Sequence, residues 1–481
     1  MKTNSLDFDA QALREKILDL AMRGKLVPQD PNDEPASELL KKIKAEKAEL
    51  IKEKKIKKSK PLPPITDNEK PFDIPDSWEW VRCKTVTTIG NFHSLSPEKI
   101  KSGENLIELA DIESYSGKLI NRECVTKKVG SNKYRYSKGN VLFAKLRPYL
   151  RKVLLAPNDG VCTTELLPID GIKTDNNYLY YVFLSSFFFG QIEKEMHGVN
   201  LPRVSPKKLS ALIIPLPPLS EQSRIAAKIA QLFALLCKVE TSTQQYAKLQ
   251  TLLKSKVLDL AMRGKLVKQD PNDEPASELL KKIKAEKAEL IKEKKIKKTK
   301  PLPPVTDDEK PFDIPDSWEW VRLGDVAENM RYGFTASAKD EGNSKFLRIT
   351  DIQDNMVNWN AVPSCNVPHA KINDLQLHDE DILIARTGGT VGKSYLVKKI
   401  PGRVVFASYL IRIRLFPIQR NDYISLVLKS PLYWHFISEK QSGTGQPNVN
   451  ASKLSEFILP LPPINEQARI VKMVFNLKNQ L

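Results

Sequence analysis

Apolar side chains recur at Ile225, Ile229, Leu232, Leu236, Val239, Tyr246, Leu253, Val257 and Leu260, in alternating steps of four and three residues. Only Thr243 and Gln250 interrupt the series with polar groups. A seam of that period predicts a long helix in a coiled coil. It closes at Arg263-Gly264, a glycine standing where a left-handed cap is wanted. A second, charged helix is predicted after Pro275, over about 276–298, before PLPP (301–304) imposes extended geometry. The termini continue the seam, with Ile470, Val474, Leu477 and Leu481 at one end and Leu6, Ala10, Leu13, Ile17 and Leu20 at the other. Residues 464–481 followed by 1–22 give 40 positions against the 44 of 219–262, so the two ends together predict one more spacer helix, cut in the middle. The pattern predicts a pseudo-twofold ring of domain, helix, domain and helix, opened inside the second helix.

Internal repetition points the same way. Residues 18–82 recur at 258–322 with four differences: Pro28/Lys268, Ser59/Thr299, Ile65/Val305 and Asn68/Asp308. KLSALIIPLPPLSEQSRI (208–225) answers KLSEFILPLPPINEQARI (453–470). Between these flanks, roughly 79–212 and 319–457 diverge strongly yet share a skeleton. LIELADI (106–112) aligns with FLRITDI (346–352), GNVLFAK (139–145) with EDILIAR (380–386), and GVNLPRV (198–204) with GTGQPNV (443–449). Two related globular domains are therefore held by near-identical supports.

Composition narrows the class. The 481 residues exceed one ordinary domain, and a hydrophobic fraction of 41% is enough to build cores. Net charge is +18, which favours an acidic partner, nucleic acid before membrane. Each Lys/Glu helix, 36–60 and 276–300, holds ten Lys and four Glu, so the pair supplies 12 of that charge and reads first as solvated surface. Five cysteines without a C-x-x-C pair argue against a disulfide framework or a cysteine zinc site. The most apolar run, Tyr178–Gly190, is too short to span a membrane and reads as an aromatic core helix. Asp7, Asp9, Glu15 and Asp19 would not suit a secretory signal, and the expected location is the cytoplasm.

No catalytic constellation emerges. GGTVGKS (388–394) lacks the first glycine of a phosphate loop, because Thr387 stands in its place. The Pro-Pro pairs all follow Leu and precede aliphatic residues, unlike an adenine-methylation motif, and the five histidines lack metal-ligand spacing. A nuclease pattern forced onto Glu53/Lys55 or Glu293/Lys295 falls in the charged helices. The chain reads as non-catalytic, with no metal site and no cofactor of its own.

The variable domains instead offer groups suited to bases and phosphates. KLRPYLRK (145–152) gathers Lys145, Arg147, Arg151 and Lys152 around Tyr149 just after an apolar strand. An Arg fork reads guanine or clamps phosphate, while Lys acts as a point charge. ARTGGTVGKS (385–394) presents Arg386, Thr387 and Lys393, and its glycines permit close backbone approach. Arg147 and Arg386 are expected at equivalent places. Gln446 and Asn448 suit bidentate contact with adenine, and the loop 331–345 adds Arg331, Tyr332, Thr335 and Lys345. Asn200 and Arg203 of GVNLPRV and Arg348 of FLRITDI complete the candidate set. Each also has an ordinary reading as loop chemistry.

IPDSWEWVRLGD, GNVLFAKLRPYLRK, DILIARTGGTVGKS, GTGQPNVNASKLSEFILPLPPINEQARI and the spacer-like LDLAMRGKLVPQDPNDEPASELL together resemble the specificity subunit of type I restriction–modification enzymes. The resemblance covers essentially the whole chain. It implies an α+β fold with two globular α/β target-recognition domains (77–218 and 316–463), each reading half of a bipartite double-stranded DNA site. Long antiparallel coiled-coil helices would separate them: an N-terminal spacer (1–76), a central one (219–315) and a C-terminal helix (464–481). It further implies two methyltransferase subunits carrying S-adenosylmethionine, and restriction subunits using ATP and Mg. The alternative from another class is a non-catalytic coiled-coil scaffold whose variable domains bind proteins.

Overall fold

The computed structural model describes residues 8–58, 60–121, 123–126, 129–194, 201–298, 300–440 and 448–480. The chain forms two compact units, Met1–Gln244 and Gln245–Leu481. Unit 1 begins with helix α1 (Ala10–Met22), started by Asp9, whose carboxylate accepts the Ala12 amide at 2.9 Å. It ends at Gly24, at φ 67°, where a Cβ would lie 2.4 Å from Pro75 Cγ, so glycine is required both by backbone and by space. Gly264, at φ 65° against Pro315, repeats this stop in unit 2.

Helix α2 (Ala36–Lys52) buries only Ala36, Leu39 and Ile43 and leaves most of its lysines in solvent. Strand β1 (Glu79–Arg82) opens the globular part. Strands β2 (Val141–Ala144), β3 (Val153–Leu155) and β4 (Leu166–Ile169) form a sheet in the order β3-β2-β4, with β2 wholly buried. The apolar run then folds as two helices, α3 (Asn176–Leu184) and α4 (Ser186–Glu193), and not as one. Ser185 breaks it: its backbone is extended, and its hydroxyl donates to Val182 O and caps the Phe188 amide. Phe143, Phe183 and Phe188 pack ring to ring beneath this break. Strand β5 (Ile213–Leu216) pairs antiparallel with β1 and closes the unit.

Helix α5 (Leu219–Met262) is continuous over 44 residues, as the seam predicts. Its burial is uneven. Ile225 and Ile229 enter the core of unit 1, and Val257 and Leu258 that of unit 2. Between them Val239, Tyr246 and Leu253 are exposed, so the seam is covered near its ends and open in the middle.

Unit 2 repeats the plan. Helix α6 (Ala276–Lys292) stops short of the predicted end at 298 because Lys294 takes left-handed backbone at φ 58°, as Lys54 does after α2. Strand β6 (Glu319–Arg322) pairs with the late strand, and β7 (Ala327–Tyr332), β8 (Ile382–Ala385), β9 (Ser394–Leu396) and β10 (Leu410–Leu415) form a sheet in the order β7-β10-β8-β9. Helices α7 (Asn421–Val427) and α8 (Pro431–Lys440), strand β11 (Ile458–Leu461) and helix α9 (Ile464–Gln480) follow. Leu18, Ala21 and Met22 of α1 enter the core of unit 1 as Leu258, Ala261 and Met262 of α5 enter that of unit 2. Each terminal helix therefore stands in for one half of α5, which is the relation the repeat arithmetic predicts.

The matched supports meet at a buried polar node. Glu221, at the start of α5, accepts Trp78 Nε1 at 2.9 Å and Gln29 Nε2 at 2.6 Å. Glu466, at the start of α9, accepts Trp318 Nε1 and Gln269 Nε2 at the same distances. Burial pushes both carboxyls above the usual range, while these donors pull them back. Beside each node, Arg224 binds Asp33 and Arg469 binds Asp273, both at 2.5 Å.

Candidate nucleic-acid interface

In both units an inner strand of the sheet, β2 or β8, delivers the chain into a loop that a later segment clips in place. Leaving β2, the chain turns over Pro148–Leu150 with Arg147 and Arg151 both left-handed, at φ 48° and 46°. Arg147 N donates to Pro202 O at 2.8 Å, and Val204 N to Lys145 O at 3.0 Å. Leaving β8, Val449 N donates to Arg386 O at 3.0 Å, and Thr387 bridges to Asn448. Segments far apart in sequence are thus joined in the same way twice: Lys145 to Val204 with Leu146 bridged to Arg203, and Arg386 to Val449 with Thr387 bridged to Asn448.

The register corrects one expectation. Ala144 N donates to Lys152 O as Ala385 N donates to Lys393 O. The counterpart of Arg386 is therefore Lys145, and Arg147 corresponds to Gly388, at φ 76°. Glycine adopts that conformation freely, whereas an arginine there costs about 1 kcal/mol, a strain characteristic of functional loops.

Several candidate side chains face outward. Arg147, Tyr149, Thr335, Lys393 and Asn448 are exposed, and Lys145 is half-buried. Arg386 lies over the Tyr332 ring, 4.7 Å from its centroid, and its Nε is buried without a hydrogen-bond partner among the described residues. Tyr332 in turn accepts the Ala451 amide at 3.0 Å, which ties β7 to the clipped segment. This stacked pair is half-exposed and carries one unsatisfied donor.

Other candidates are engaged within the fold. Arg151 donates to Glu15 at 3.3 Å and Ser186 at 3.2 Å, and lies over Tyr115 and Phe189. Lys152 donates to Leu109 O at 2.7 Å and Lys345 to Val362 O at 3.2 Å. Arg348 holds Asp351 through two bonds of 2.7 and 3.1 Å, which lifts its own pKa. Arg331 pairs with Asp374 at 2.8 Å and Arg203 with Glu165 at 3.4 Å, both near solvent. Asn200 and Gln446 lie outside the described residues.

One element of the site, Arg412, belongs to none of the sequence motifs. Arg412, on β10, is 2% exposed and gives Nη1 to Gln376 O at 2.9 Å and Nη2 to Asn329 at 3.2 Å. Burial pushes its pKa down to about 10. Two residues on, Arg414 clamps Asp381 through two bonds of 2.8 Å. Arg412 sits opposite Arg331 in the β7–β10 ladder, so this buried layer stiffens the strand that carries Tyr332. The alternation in LIRIRL (410–415) is the signal that could have found it.

Two mixed α/β units with long helical supports and matched, clipped basic loops define a duplicated binding protein. The family model for the type I restriction modification DNA specificity domain matches residues 75–250 and 315–481. The chain is 35% identical to the type I restriction enzyme EcoEI specificity subunit of Escherichia coli, over 97% of this chain and 89% of that one. It is 36% identical to the EcoAI specificity subunit, over 96% and 88%. In fold it resembles the HsdS subunit from Thermoanaerobacter tengcongensis, with a TM-score of 0.53 and 21% identity over 85% of this chain and 91% of that one. A structure described as the basis of complex assembly and conformational transition of the type I R-M system gives a TM-score of 0.57 at 22% identity, over 85% and 92%. The chain belongs to the type I restriction enzyme specificity subunits. No helix among the described residues is long and apolar enough to cross a membrane.

Proposed function

We propose that each unit reads one half of a bipartite double-stranded DNA target through its clipped loop pair. Unit 1 would use Lys145, Arg147 and Tyr149, with Arg203 at the margin; unit 2 would use Tyr332, Arg386, Thr387 and Asn448, with Thr335 and Lys393 beside them. The observation that carries this reading is the same backbone clip formed twice, in the two segments whose sequences diverge most. Divergent loops on matched frames suit a protein whose frame is constant and whose text varies. Arg151, Lys152, Lys345 and Arg348 would shape the loops and leave the reading to others.

The near-identical supports, 18–82 and 258–322, carry a second part of the reading. Two identical surfaces recruit identical partners, so two methyltransferase subunits would bind, bringing S-adenosylmethionine for adenine N6 methylation. Restriction subunits, with ATP and Mg, would join that core in the cytoplasm, and this chain would contribute no catalytic group. Replacing 79–212 with the matching segment of a relative tests the modular reading. Methylation-sensitive sequencing should show one changed half-site. A change in both half-sites overturns it, and so does salt-sensitive binding to any duplex, which is what a protein-binding scaffold would show.

A further inference from the structure

On unit 2, away from the clipped loops, a cavity of about 510 Å³ opens between α7, α9, β9 and the turn at Asn355–Trp359. Its walls are apolar, with Trp359, Tyr395 and Val474, and its rim carries Met356 and Phe475, which are 68% and 62% exposed. Val471, Val474, Phe475 and Lys478 line it at the i, i+3, i+4, i+7 spacing of one helix face. Lysines converge on it from separate elements: Lys398 and Lys399 after β9, Lys429 after α7, and Lys478 on α9. Among the described residues, none of these four lies within ion-pairing distance of a carboxylate. Among the described residues Lys429 donates to the Asn355 carboxamide alone, at 3.1 Å. The one acid on the wall, Asp422, is already held by Arg420 through bonds of 2.6 and 3.1 Å. Crowding shows in the ammonium groups: burial, then Lys478 and Lys398, push Lys429 down to about 8.

The matching place in unit 1 is built differently. With the repeat offset that relates Tyr423 to Tyr178, Lys429 becomes Leu184, Phe475 becomes Ala230 and Lys478 becomes Phe233. Leu184 is buried, and Phe233 packs edge-on against Tyr181 at 5.8 Å. Lys254 of α5, which faces Lys478, corresponds to Arg14, and Arg14 is paired with Glu240 at 2.5 Å. Unit 1 therefore fills and neutralises this place, while unit 2 leaves it open and cationic.

We propose that this groove docks an acidic amphipathic segment of a partner protein, and that each chain carries one such site. The apolar face of the segment would cover Trp359, Tyr395 and Phe475, with its carboxylates on Lys398, Lys429 and Lys478. An apolar groove ringed by cations receives an amphipathic helix by its apolar face, while the acidic face of that helix meets the lysines. A nucleic-acid backbone would satisfy the lysines but leave the apolar rim of Met356 and Phe475 in water, forgoing the gain from burying that area. The site makes a subunit of matched halves asymmetric in partner binding, independently of how DNA is read.

The test uses the full chain and a labelled amphipathic peptide of about 15 residues, Leu at helical anchor positions and Glu between them. A second peptide replaces every Glu with Gln. At physiological ionic strength the acidic peptide should bind one per chain, and the Gln peptide about tenfold more weakly or worse. Lys429→Glu/Lys478→Glu should lose the acidic peptide to a similar extent while keeping its thermal transition. Phe475→Ala, at an exposed position, should weaken both peptides. Equal binding of the two peptides, or undiminished binding by the double variant, overturns the proposal. Displacement of the peptide by an equimolar short duplex reassigns the groove to nucleic acid and overturns it as well.

Discussion

Removing the Arg386 side chain separates what that residue does for the fold from what it does for DNA. In Arg386→Ala the fold loses one stacking contact, the guanidinium over Tyr332 at 4.7 Å, worth about 0.5–1 kcal/mol at a half-exposed site. Among the described residues the guanidinium Nε has no partner to lose. The backbone bonds to Tyr409 O and from Val449 N, both 3.0 Å, survive truncation. Stability should therefore fall by less than ~1 kcal/mol. A bidentate contact to guanine carries ~1–3 kcal/mol, roughly 5- to 150-fold in affinity, and only at one base position. The assay is fluorescence anisotropy on the recognised duplex and on each single base-pair substitution, at two salt concentrations. The expected result is lost discrimination at one position. Arg386→Lys keeps the charge without the fork and should lose that discrimination with less loss of overall affinity. Unit 1 holds Lys145 at this place, so Lys145→Ala should weaken binding more evenly across sequences. A uniform loss in Arg386→Ala, with the salt slope lower by about one, makes the residue a phosphate contact. Unchanged affinity at low salt, with an intact thermal transition, removes it from the interface and refutes the reasoning.

Glu466→Ala strands the buried Trp318 donor and frees Gln269, which should cost about 2–4 kcal/mol in urea unfolding followed by tryptophan fluorescence; Glu221→Ala should cost the same, and a loss below ~0.5 kcal/mol in either contradicts the node. Hydrogen bonds from Arg224 and Arg469 hold Asp33 and Asp273 below the usual carboxylate range. Their contribution is therefore full above about pH 4–5 and is lost as pH falls through their folded pKa; Asp33→Asn/Asp273→Asn should flatten the thermal-denaturation profile in that window. Inserting four residues at Thr243, where α5 is exposed, lengthens the helix by ~6 Å, so the methylated site should gain one or two base pairs of gap with both half-sites unchanged; an unchanged gap shows that the helix does not measure.

The sequence by itself determined the frame. Helix period, the Gly24 and Gly264 stops and the near-identical repeats are local signals, and each survived folding because backbone conformation and burial periodicity are set within a few residues. The alignment of GNVLFAK with EDILIAR pairs Arg386 with Lys145, whereas loop chemistry alone favours Arg147. Tertiary structure decided how the long polar side chains are used. Arg151 meets Glu15 across 136 residues, and Glu221 meets Gln29 across 192, distances over which no periodicity carries information. A lysine or arginine can span several ångströms in many directions, so whether it reads a ligand, braces a loop or crowds its neighbours depends on which remote segment arrives beside it. The middle of α5 shows the same limit from the apolar side. Its heptads predict a covered seam, yet burial needs a second surface, and within the described chain only its ends receive one.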